Sequence, residues 1–127
     1  MATEITCNEI TKEFEAVDMV YTDVVSSLTQ AFYCTPFDCK GILEVIVDAG
    51  ESEEDVTLSL STNSFSDPEQ KKIDIEIPAG ETKLVGISSG RTAYSDGKLY
   101  FSIKADTALT ALGVRFAVIK RRFVTNY

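Results

Sequence analysis

Five consecutive residues, Ile73-Asp74-Ile75-Glu76-Ile77, alternate strictly between apolar and acidic, and the same period recurs at Val56-Leu58-Leu60 and at Leu99-Phe101-Ile103. Successive side chains of a strand point to opposite faces, so each run turns one apolar face to a core and one polar face away from it. A helix would scatter these residues around its circumference. Pro78-Ala79-Gly80-Glu81 follows as a turn, Pro fixing one φ and Gly freeing another. A second strand then runs from Lys83 to Ile87 and stops at Ser88-Ser89-Gly90-Arg91. The whole stretch reads as a β-hairpin in a small all-β domain.

The remainder of the chain extends this pattern. Ala31 to Cys34 is a short strand closed by Thr35-Pro36-Phe37-Asp38, and Gly41 to Asp48 is a strong apolar strand interrupted only by Glu44. Ala49 to Asp55 is an acidic turn, Asn63 to Lys72 a polar loop, and Leu112 to Ile119 a last, nearly continuous apolar strand capped by Lys120-Arg121-Arg122. Seven or eight short strands separated by turn signals predict a single β-sandwich or β-tulip/jelly-roll-like domain over residues 31–127. Residues 1–30 are the ambiguous part. Ile10, Phe14, Val17 and Tyr21 follow helical spacing, whereas Val17, Val20, Val24 and Val25 are β-branched, and the balance favours an extended N-terminal arm or first strands.

The chain's 127 residues suit one domain, and 44% hydrophobic content suffices for a modest core. No apolar run approaches the roughly 20 residues of a membrane span, and the acidic start Met1-Ala2-Thr3-Glu4 has no signal-peptide character. Cytosolic synthesis and assembly are expected. Cys7, Cys34 and Cys39 are an odd set with no His beside them, short of the four ligands of a structural zinc site, and read as reduced, buried thiols. Net charge is −8, unevenly spread: residues 1–81 hold 18 acidic against 4 basic residues, and residues 82–127 hold 2 against 8. A solvated acidic surface is one reading. A subunit with unlike faces, suited to neighbour contacts in an assembly, is the other.

Chemistry is sparse. Without His, no Ser-His-Asp or Cys-His arrangement exists within the chain. Gly86-Ile-Ser-Ser-Gly90 is too short for a phosphate loop, and the acidic run Asp48–Asp55 lacks the ligand order of an EF-hand. No pair of carboxylates is marked out for glycoside chemistry. Lys120-Arg121-Arg122 is the one basic cluster, too narrow for a nucleic-acid face in a chain with pI ≈ 4.5. The expectation is a non-catalytic protein with no cofactor, metal, nucleic-acid or membrane partner.

Ala31-Phe-Tyr-Cys-Thr-Pro36, Lys40-Gly41 with its strand, Ile75-Glu-Ile-Pro-Ala-Gly-Glu-Thr82, Ser88-Ser-Gly-Arg91, a strand after Asp96-Gly97 and the closing Leu112-Gly-Val-Arg-Phe-Ala-Val-Ile119 occur here in one order. That order resembles the small capsid decoration, or head-stabilising, proteins of tailed bacteriophages, over roughly residues 30 to 120. The basic ending departs from that family's short apolar finish. The resemblance implies a structural virion protein on the outer capsid surface, in many copies, partnered by the major capsid protein and by itself, with a trimer as one form. It carries no catalytic residue. Arg91, Arg115, Lys120, Arg121 and Arg122 are the candidate interface. Two alternatives remain: a tail or connector component of the same fold, or a carbohydrate- or cell-surface-binding sandwich using Tyr21, Tyr33, Phe65, Tyr94, Tyr100 or Tyr127.

Overall fold

The computed structural model describes residues 3–11, 14, 16–25, 29–35, 42–62, 71–87, 92, 94, 97–105 and 111–121. Ten strands lie among them: β1 (Thr3–Glu4), β2 (Asn8–Ile10), β3 (Thr22–Val25), β4 (Thr29–Cys34), β5 (Ile42–Asp48), β6 (Val56–Leu60), β7 (Ile73–Ile77), β8 (Thr82–Ile87), β9 (Leu99–Ala105) and β10 (Ala111–Arg121). The chain is all-β, as its alternation predicts. The N-terminal segment is extended where it is described: β1 adds in parallel to β4, and β2 adds in parallel to β10.

The strands form two sheets. Sheet A has the order β1-β4-β9-β6-β7, and sheet B the order β2-β10-β5-β8, with β3 also on the edge of β10. Taking β3 to β10 as a set, β3 pairs with β10, β4 with β9, β5 with β8 and β6 with β7. Within this set every connection but the one from β6 to β7 crosses between sheets. This nested pairing is the topology of a jelly roll.

The crossing overturns the hairpin expected at Ile73–Ile87. β7 pairs with β6 in sheet A and β8 with β5 in sheet B, so Pro78–Glu81 is an arch between sheets. Gly80, at φ +80°, occupies the position of a type II turn that requires a positive φ, and Glu81 N–H donates to Pro78 O at 3.1 Å. The arch is locked to the acidic turn after β5. Gly80 N–H donates to Ala49 O and Ala49 N–H to Glu81 O, each at 2.9 Å, while Ala79 N–H donates to Asp55 Oδ1 at 2.8 Å. An arch lets the isoleucines of β7 face Val85 and Ile87 of β8 across the core, where a hairpin would have set both rows in one sheet.

The core follows from the pleat. Leu43, Val45 and Val47 of β5 and Val114, Phe116 and Val118 of β10 point inward from sheet B against Phe32, Leu58, Leu99, Phe101 and Ile103 of sheet A, all buried. Three rings mark the centre: Phe32, Phe101 and Phe116 stand with centroids 4.6–5.7 Å apart, two of the pairs edge to face. The outer side of sheet B consequently carries three registered rows: Thr82-Asp48-Arg115-Asp23, then Leu84-Ile46-Ala117, then Gly86-Glu44-Ile119-Asn8.

The edge of β10 is shared by two strands, β2 beside Ile119–Arg121 and β3 beside Ala111–Phe116. Asn8 closes the seam between them. Its Nδ2 donates to Val118 O at 3.1 Å and to Val20 O at 3.0 Å, and its Oδ1 accepts from Val20 N–H at 2.7 Å. A buried side-chain amide thus takes the place of a ladder residue.

Candidate functional site

Of the five basic residues expected at an interface, the three described, Arg115, Lys120 and Arg121, do not share one face. Along β10 alternate residues face opposite ways, so Arg115 and Arg121 project outward while Lys120 points inward and is only 5% exposed. The strand runs through Lys120 to Arg121 instead of ending at Ile119, which is why Lys120 belongs to the interior and not to a terminal basic edge. Arg91 and Arg122 lie outside the described residues.

Arg115 is the best-defined of them. Its Nε donates to Asp48 Oδ2 at 3.0 Å, and its guanidinium carbon lies 4.2 Å from the centroid of the Tyr21 ring. Asp48 Oδ1 also accepts Gly50 N–H at 2.9 Å and Thr82 Oγ–H at 3.0 Å. These three donors, the Gly50 amide first, hold the Asp48 carboxyl below its ordinary range. The Asp-x-Gly spacing at the end of an apolar strand is the Asx-turn signal that marks this position in sequence, and the sequence reading passed over it. A pocket of about 530 Å³ opens beside the pair, lined by Asp23, Asp48, Glu51, Gly113, Val114 and Arg115. Gly113, at φ +65°, sits in a bulge of β10, and a Cβ there would stand 2.8 Å from Glu51 O. The bulge and the acidic turn are therefore packed closely together beside the pocket.

Arg121 pairs with Glu44 on the same outer face. Nε and Oε1 stand 3.0 Å apart, both shut off from solvent though not aligned as a hydrogen bond. Lys104 pairs with Asp74 at 3.7 Å and Lys83 with Glu81 at 3.4 Å. Each of these ion pairs joins the basic C-terminal part of the chain to its acidic N-terminal part. At these positions the fold brings the two parts side by side.

Three of the tyrosines proposed as a sugar platform meet on the outer side of sheet A. Tyr33 and Tyr100 lie opposite each other with centroids 5.8 Å apart, and Tyr94 stands edge-on to Tyr100 at 4.8 Å. Their surfaces are engaged: Lys98 Nζ lies 5.0 Å from the Tyr33 centroid, Tyr94 OH donates to Thr62 O at 3.1 Å, and Tyr33 OH donates to Glu4 Oε2 at 3.3 Å. The cluster is built as a packed face. Tyr21 stands apart over Arg115, and Phe65 and Tyr127 lie outside the described residues.

Cys34 is buried and Cys7 half-buried, both as free thiols. Burial raises the Cys34 thiol to about 12 and Cys7 to about 11, the nearby Lys120 charge partly opposing the rise at Cys7. Neither is a reactive nucleophile at neutral pH, and Cys39 lies outside the described residues. Among the described residues no three Cys, Asp or Glu side chains are grouped to hold a metal ion, and the acidic turn is tied down internally, Ser52 Oγ–H donating to Glu54 O at 2.7 Å.

One further position escaped the sequence reading. Phe14, counted there only for its helical spacing, sits at φ +58° with its ring wholly exposed. A bulky residue in the left-handed region costs about 1–3 kcal/mol, and an unburied ring returns none of it. No protein-family model, curated protein or solved structure matches the chain.

Proposed function

We propose that this chain is a structural virion protein that binds the outer surface of a bacteriophage capsid lattice and stabilises it, without catalysis, assembled in the host cytoplasm and carried on the capsid. The observation that supports the reading best is the jelly-roll topology with an N-terminal segment woven into both sheets as extra edge strands. Jelly rolls recur in viral capsid domains. In this one the polar side chains that stand out, Asn8, Asp48, Ser59 and Asp74, are engaged in bonds within the fold, Ser59 Oγ–H donating to Asp74 at 2.6 Å. The major capsid protein and further copies of this chain are its partners, and many weak, repeated contacts on a lattice convert modest affinity into stable attachment.

Quantitative mass spectrometry of purified source particles tests this. About one copy per major capsid protein is the expected result. A handful of copies per particle moves the protein to the tail or connector, and absence from particles overturns the proposal. The carbohydrate-binding alternative is weakened by the engaged ring surfaces of Tyr33, Tyr94 and Tyr100, and a glycan array with strong hits would revive it.

A further inference from the structure

Cys7 and Cys34 come together where the N-terminal segment crosses from one sheet to the other. The parallel register of β1 on β4 pairs Thr3 with Phe32 and Glu4 with Tyr33, and Ile5 N–H donates to Tyr33 O at 2.9 Å. The next rung of that ladder sets Ile5 opposite Cys34, the last residue of β4. Asn8 already lies on β10, opposite Ile119. Residues 5–7 therefore bridge the two sheets, which stack about 10 Å apart. Ile5 and Cys7 both pack against the core, with exposed Thr6 between them, and Cys34 is wholly buried in the same core.

The crossing is open to small molecules. A pocket of about 460 Å³ is lined by Glu4, Ile5, Thr6, Cys7 and Thr35, so Cys7 shares one cavity with the residue that follows Cys34. The two thiols also sense each other's charge. Burial first, and then a negative charge on Cys7, raises the Cys34 thiol, whereas at Cys7 the Lys120 charge works against the effect of burial. Cys7 is thus both the more accessible thiol and the more readily ionised one.

We propose that Cys7 and Cys34 form a reversible disulfide that fastens the N-terminal segment to the end of β4. The oxidant is a small disulfide, of which oxidised glutathione is the test case. The Cys7 thiolate attacks one of its sulfurs and releases one glutathione thiolate. The Cys34 thiolate then attacks Cys7 Sγ in the mixed disulfide and releases the second. The two cysteine protons end on the two glutathiones, and the two electrons lost by the protein reduce the oxidant. Burial holds both thiols protonated near neutral pH, so the exchange is slow. The chain stays reduced in a reducing compartment and locks in oxidising surroundings. The inference goes beyond the proposed function and holds with or without a capsid partner.

Peptide mass spectrometry of the native, reduced protein after incubation with oxidised glutathione at about pH 8 tests it. The expected product is a Cys7–Cys34 linkage. The same chain unfolded in urea is expected to favour Cys34–Cys39 instead, the shorter loop. Cys34→Ser stops at a glutathione adduct on Cys7, and Cys39→Ser still forms the linkage. Closing the bond is expected to raise Tm by about 7–15 °C, and dithiothreitol reverses the rise. Native wild-type protein that forms no linkage, or that joins Cys39 to either partner, overturns the proposal. So does a Cys7–Cys34 linkage that appears only in urea, or one that leaves Tm unchanged or lower. The wild-type chain alone decides these outcomes, so a variant that fails to fold does not shelter the proposal.

Discussion

Replacing Asn8 by Ala puts the seam of sheet B to the test. The side chain makes three hydrogen bonds at 2.7–3.1 Å and is only 5% exposed. Its loss leaves the N–H and C=O of Val20 and the C=O of Val118 without these partners. Each such bond contributes about 1 kcal/mol net, and an unsatisfied buried group costs about 1–3 kcal/mol. Water can enter part of the space vacated, since Val20 is exposed, which holds the total to about 2–4 kcal/mol. An unfolding entropy near 2.1 cal/mol/K per residue over 127 residues converts that loss to a Tm fall of about 7–15 °C. Differential scanning calorimetry measures the fall, and hydrogen exchange at the Val20 amide reports whether the seam itself opens. Asn8→Asp is expected to do worse than Ala, because it removes both donors and sets a charge against two carbonyls. A fall under about 2 °C for Asn8→Ala, a fraction of one hydrogen bond, would refute the reasoning and mean that β2 and the segment after it add nothing to the sheet.

Asp48→Asn is expected to lower thermal stability at pH 7 and to lose its effect in acid: a depressed carboxyl stabilises the fold above its unfolded pKa of about 3.9 and ceases to do so as pH falls through its lower folded value. Wild-type and variant melting curves that stay equally separated down to the acid limit would contradict this. Gly113→Ala should cost about 2–4 kcal/mol, from the positive φ and the Cβ 2.8 Å from Glu51 O, and urea unfolding with an unchanged midpoint would show the bulge to be adaptable. Iodoacetamide labelling mapped by peptide mass spectrometry should leave Cys34 unmodified in the native protein near neutral pH and modify it on unfolding; native labelling at the rate of a free thiol would refute its burial.

The strands were legible because the side-chain period of a strand is written directly in Ile73–Ile77, Val56–Leu60 and Leu99–Ile103. The pairing was not. Alternation says that a strand has an apolar face and nothing about which strand lies beside it, so Ile73–Ile87 reads as a hairpin although its two strands belong to different sheets. What decides the matter is the meeting of the Pro78–Glu81 arch with Ala49 and Asp55, contacts between residues 24 to 32 positions apart. The same limit applies to the basic residues of β10. Their spacing places Arg115 and Arg121 on one face and Lys120 on the other as soon as the strand is carried past Ile119, but Lys120-Arg121-Arg122 looks like a tail when composition alone sets the boundary. Asn8 was illegible for a different reason: its role depends on the Val20 and Val118 backbone, which comes near it only in the fold.

The charge pattern shows how such misreading carries over to function. A chain with an acidic first part and a basic second part suggests a particle with two unlike faces. Jelly-roll nesting brings late strands near early ones, β10 beside β5 and β9 across β6 from β7, so Arg115 lands on Asp48, Arg121 on Glu44 and Lys104 on Asp74. An exposed pair such as Lys104–Asp74 adds little stability, and with 20 acidic against 12 basic residues the chain keeps a net charge of −8 that acts at long range. Self-association through exposed apolar side chains such as Leu84 and Phe14 would instead be short-range. Binding through such features responds weakly to salt, whereas the arginine edge expected from sequence would be steeply salt-dependent, so the ionic-strength dependence of self-association separates the two modes before any residue is changed.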